Sequence, residues 1–72
     1  MCNVLVVADE AAIRGLSTRW LEAAGYRTHA AVSADQAILD LDTTAPAVVV
    51  SDIEMPGHDG FWFADEIRRR LP

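Results

Sequence analysis

The chain has 72 residues, is 51% apolar and carries a formal charge of −5 at neutral pH. This bounds it to one small domain with a packed core, since a chain of this size buries only about 60–65% of the surface its unfolded form exposes. The acidic balance argues against a nucleic-acid surface, no apolar run approaches the ~18 residues of a membrane span, and no basic segment precedes an apolar one at the N-terminus as in a signal peptide.

The single cysteine, Cys2, excludes an internal disulfide and suits a reducing cytoplasm. All six basic residues are arginine, and there is no lysine. Asn3 to Ala8 is a short, valine-rich apolar run, predicted to be a strand covered on both faces. Asp9 and Glu10 end it. From Ala11 the period becomes helical: Ile13, Leu16, Ser17, Trp20 and Ala24 share one face, with Leu21 beside them, and Trp20 is assigned to the core. Gly25 occupies the place of a left-handed C-cap. Tyr26 to Val32 forms a weaker second strand. Ser33 and Gln36 have the spacing of a capping box, with Asp35 favourable in the first turn of a second helix that ends near Leu41 or Asp42.

Thr43 to Pro46 reads as a connector, and Ala47 to Ser51 as the third strand. Asp52 follows that strand directly and opens a loop marked by Pro56 and Gly57. A third helix begins near Gly60, where Gly60, Phe63, Ala64, Ile67 and Leu71 form a stripe at helical spacing. Arg68, Arg69 and Arg70 complement the dipole at its C-terminal end.

The order β-α-β-α-β-α predicts an α/β fold, a doubly wound parallel sheet with strand order 2-1-3, filling residues 1–72 as one unit. Ligands of such sheets bind beyond the carboxyl ends of the strands where the winding reverses, here between strands 1 and 3. Asp9 and Asp52 end those two strands. Neighbouring carboxylates invite a divalent cation, and Mg²⁺ accepts one or two of them while keeping waters that a phosphate can replace. A carboxylate beside Mg²⁺ can take up a phosphoryl group as an acyl phosphate.

Two segments then carry a family resemblance. Val4-Leu5-Val6-Val7-Ala8-Asp9-Glu10 and Ser51-Asp52-Ile53-Glu54-Met55-Pro56-Gly57-His58-Asp59-Gly60 resemble the receiver domain of two-component response regulators, a flavodoxin-like fold. The resemblance implies that Asp52 accepts a phosphoryl group from a histidine kinase or phosphotransfer protein. It implies that Asp9, Asp52 and the backbone carbonyl of Glu54 ligate Mg²⁺, with Glu10 a supplementary acid, and that Asp59 and Gly60 open the third helix. No independent substrate turnover is expected. The chain has Glu54 where phosphatases that form an aspartyl-phosphate commonly have a second aspartate.

The chain departs from the family pattern in two ways. Ala8 stands where the family has the first acid of a pair, so a weakened Mg²⁺ site is expected. A full receiver also has a Ser/Thr after strand 4 and a Lys after strand 5, and no lysine is present here. These departures support an alternative, a receiver-like interaction module that is not phosphorylated. The chain reads as the N-terminal portion of a receiver. Taken alone, it is expected to self-associate through the apolar edge Ala47, Val48, Val49 and Val50, or through the face that carries Trp62. His58 reads as a solvent-facing loop residue, and nothing suggests a nucleic-acid or membrane partner.

Overall fold

A computed structural model of the chain describes residues 2–52 and 55–70. The elements are β1 (Asn3–Val7), α1 (Ala11–Ala23), β2 (Arg27–Ala31), α2 (Ala34–Thr44), β3 (Val48–Ser51) and α3 (Gly60–Arg70). The strands form one parallel sheet in the order β2-β1-β3, as the alternation of elements predicts. Val4 lies beside Thr28 and Val48, and Val7 beside Ala31 and Ser51. The chain therefore steps one way from β1 to β2 and back the other way to β3. Right-handed crossovers then put α1 on one face of the sheet and α2 on the other.

The pleat divides the apolar residues between those faces. Leu5 and Val7 join Ala31, Ala34, Ala37, Met55 and Phe63 in one buried cluster, with Ile38, Leu41, Val49, Trp62 and Ile67 packed against it. This is the core between the sheet and the α2–α3 layer. Val4 and Val6 point to the α1 side and are also buried. β1 is thus covered on both faces, as its unbroken apolar run requires.

On the α1 side the expectation from periodicity fails. No residue of α1 is buried, Trp20 is 71% exposed, and Ile13 and Leu16 are exposed too. The half-buried positions are Arg14, Ser17, Thr18 and Leu21, a stripe rotated from the apolar one. Val48 and Val50 share the sheet face of Val4 and Val6 by register, and they are 51% and 44% exposed. Among the described residues α1 alone covers this face, and nothing among them packs against its apolar stripe.

The helix ends follow local chemistry. Ser33 accepts a hydrogen bond from the Gln36 amide at 3.1 Å, without the return bond of a capping box, and the Gln36 side-chain amide donates to Asp40. α2 runs to Thr44, beyond the predicted end. The Thr44 hydroxyl bonds the Asp40 carbonyl at 2.8 Å, and Ala45 takes the left-handed conformation (φ 43°) that closes the helix. Gly25, at φ 97°, makes the left-handed turn expected after α1. In α3, Phe63 is buried and Ile67 half-buried, but Ala64 is exposed, and Leu71 lies outside the described residues.

Candidate functional site

The C-terminal edge of the sheet is built by backbone hydrogen bonds that run past the strand ends. The Asp52 amide donates to the Val7 carbonyl at 3.1 Å, and the Ala8 amide donates to the Ala31 carbonyl at the same distance. The β1–β3 pairing therefore reaches Asp52, and continuing the register places Asp52 alongside Ala8 with Asp9 one residue beyond. Asp52 is half-buried and Asp9 is exposed. The two carboxyl-bearing residues thus sit at the ends of adjacent strands at the point where the winding reverses, the crevice where open parallel sheets bind ligands.

The other predicted site residues are less gathered. Ala8 is 2% exposed and brings no donor side chain. Glu10 is exposed and occupies the N-cap position of α1, where its side chain makes no capping bond. Glu54 lies outside the described residues. Among the described residues no group of three His, Cys, Asp or Glu side chains converges to hold a metal ion. The donor set at the edge is oxygen-only and rests on Asp9 and Asp52. That composition fits Mg²⁺, which binds through one or two carboxylates and retains water.

The loop after Asp52 is anchored at both ends. Met55 is buried in the core, Gly57 turns the chain at φ 78°, and Asp59 caps α3 by accepting the Trp62 amide at 3.0 Å. Two residues acquire roles that spacing alone did not reveal. The Arg14 guanidinium donates to the Ala8 carbonyl at 2.8 Å, bracing the peptide that leads into Asp9. His58 contacts Asp35 of α2 through Nδ1 at 2.8 Å and stacks on Trp62 with ring centroids 3.7 Å apart. Trp62 is half-buried and packs against the core cluster beside Phe63. No local pattern ties Arg14 to the Ala8 carbonyl, or His58 to a residue 23 positions earlier.

The comparisons with known proteins agree with this fold. Residues 4–72 match the family model described as the response regulator receiver domain. The chain is 39% identical over 71 residues to the transcriptional regulatory protein YxdJ of Bacillus subtilis, covering 96% of this chain and 30% of that protein. It superposes on the chemotaxis protein CheY4 of Vibrio cholerae with a TM-score of 0.94 at 31% identity, covering 97% of this chain and 58% of the other. It superposes on the response regulator TrrA of Thermotoga maritima, solved with Mg²⁺ and beryllium fluoride, with a TM-score of 0.93 at 37% identity, covering 97% and 61%. TrrA has also been solved in complex with the histidine kinase ThkA.

This chain belongs to the response regulator receiver domain family. It spans somewhat over half the length of the solved receivers it matches and about a third of YxdJ.

Proposed function

We propose that this chain is the N-terminal portion of a phosphoaccepting receiver, with Asp52 as the acceptor and Mg²⁺ as its cofactor. What supports the reading is the Asp52 amide on the Val7 carbonyl, because that bond keeps the half-buried Asp52 at the end of β3, next to the strand end that carries Asp9. The donor is a phosphohistidine of a histidine kinase or phosphotransfer protein, the partner class seen with TrrA. A carboxylate oxygen of Asp52 attacks phosphorus, the P–O bond forms as the P–N bond breaks, and the released imidazole nitrogen takes up a proton. Mg²⁺, when bound, offsets charge on the phosphoryl oxygens. Asp9 and Asp52 would hold it, with the Glu54 carbonyl and, as an auxiliary, Glu10. Arg14 steadies the peptide before Asp9.

The output is signal transduction or transcription control, carried by parts of a longer protein, in keeping with the regulatory name of YxdJ. The cytoplasm is the expected compartment, where the free thiol of Cys2 persists. The bare edge of β3 and its exposed Val48 and Val50 favour self-association when the chain stands alone.

Buried Ala8 favours a second reading, a receiver-like module that binds partners without phosphorylation. Intact-mass measurement after incubation with acetyl phosphate and Mg²⁺ separates the two. Phosphoacceptance predicts one added phosphoryl group that Asp52→Asn abolishes. The second reading predicts no addition, and partner binding that survives Asp52→Asn.

A further inference from the structure

His58 sits between α2 and the first turn of α3, in a loop that Met55 also ties to the core and Asp59 to α3. Its Nδ1 lies 2.8 Å from Oδ1 of Asp35, in the first turn of α2. Its ring lies flat on the indole of Trp62, with planes 9° apart. Trp62 in turn packs on the core and donates its amide to Asp59. One imidazole therefore joins α2, the β3–α3 loop and the first turn of α3. We propose that His58 is a positioning residue that fastens the loop leading out of Asp52 to α2, with a hold that depends on its charge. The inference rests on Asp52 as phosphoacceptor for its consequence, but not for its existence.

The physical reason lies in what the proton changes. A neutral ring with hydrogen on Nδ1 can donate to Asp35. The imidazolium makes the same bond charge-assisted and lays a cation over the indole face. Imidazole is the side chain that changes charge in the physiological range. The charged neighbours on the packed elements are few. Asp35 contacts the ring, Asp59 precedes α3 and is engaged by the Trp62 amide, and Asp40 of α2 is held by Gln36. On α3, Asp65 and Glu66 pair with Arg68, Arg69 and Arg70. His58 and Asp35 are 49% and 65% exposed, so protons reach the pair freely.

The test uses Trp62 emission in a Trp20→Phe background, recorded from pH 5 to pH 8, followed by the initial rate of acetyl-phosphate labelling across the same range. The expected result is about a twofold change in emission between the two ends of this range. That change disappears in His58→Gln and loses amplitude in Asp35→Asn, where the ring is no longer held in place, and all variants keep the same circular dichroism. A flat emission profile, or one unchanged in His58→Gln, overturns the fastening. A labelling rate that depends on pH identically in His58→Gln and its parent overturns the positioning role. Absence of labelling in every variant defeats the phosphoacceptor reading and the positioning role with it, while the emission result still decides whether His58 fastens the loop.

Discussion

The amide of Asp52 is bonded to the carbonyl of Val7 at 3.1 Å, so the rung that closes the β1–β3 ladder is made by the residue proposed to take up phosphate. Fold and chemistry meet in that bond. The hydrophobic strand β1 is the most deeply buried element of the sheet, and its end is the reference point for both carboxylates. Displacing Asp52 along the sheet would require slipping the register, which would move the side chains of β3 to the opposite face.

Ala8 leads to the first prediction. Replacing it by aspartate restores a third carboxylate beside Asp9 and Asp52, but at a position 2% exposed. Without metal, Ala8→Asp buries a charge and lowers stability. With Mg²⁺, affinity rises about tenfold, in line with the effect of added support on a metal site, and the stability returns by linkage. Calorimetric titration with Mg²⁺ and thermal melts with and without it measure both. Equal Mg²⁺ affinity in the two proteins would show that position 8 does not face the site.

Phe63 is the largest fully buried side chain among the described residues and ties α3 to the sheet. Phe63→Ala is expected to cost about 3–5 kcal/mol. In so small a domain that is enough to leave the chain largely unfolded, whereas Phe63→Leu should fold. Urea titration followed by far-UV circular dichroism distinguishes them.

The cap of α2 offers a smaller, cleaner perturbation. Ser33→Ala removes the acceptor for the Gln36 amide and should cost about 1 kcal/mol. That corresponds to a drop of roughly 4–8 °C in melting temperature for a domain this size. No change in melting temperature would show that water or Asp35 satisfies the amide equally well.

The bare side of the sheet predicts association of the isolated chain. Sedimentation velocity should show a species larger than a monomer at micromolar concentration. Val50→Lys, which puts a charge on the exposed face of the β3 edge, should move the distribution toward monomer. A sharp monomer peak for the unsubstituted chain removes β3 as a self-association surface.

How much of this was legible in the sequence differs from element to element. The strand order follows from the alternation of valine-rich runs and helical stripes, and the start of α2 follows from Ser33, Asp35 and Gln36, all local signals. The end of α2 was not legible, because a hydroxyl-to-carbonyl bond from Thr44 prolongs the helix and a left-handed alanine, where glycine is usual, closes it. Trp20 shows a different limit: periodicity identifies an apolar stripe but cannot tell whether a layer exists to cover it, and here none does among the described residues. Asp9 and Asp52 could be placed together from topology alone. The Arg14 brace and the His58 contacts depend on distances between elements that no local pattern encodes.

An oxygen of Asp52 is the atom proposed to take up the phosphoryl group. Borohydride reduction after treatment with acetyl phosphate and Mg²⁺ converts an acyl phosphate to the alcohol, which peptide mass spectrometry can locate. Homoserine is expected at position 52, dependent on Mg²⁺ and absent from the Asp52→Asn protein. Recovery of unmodified Asp52, or of the reduced product at Asp9 or Asp59 instead, would contradict it.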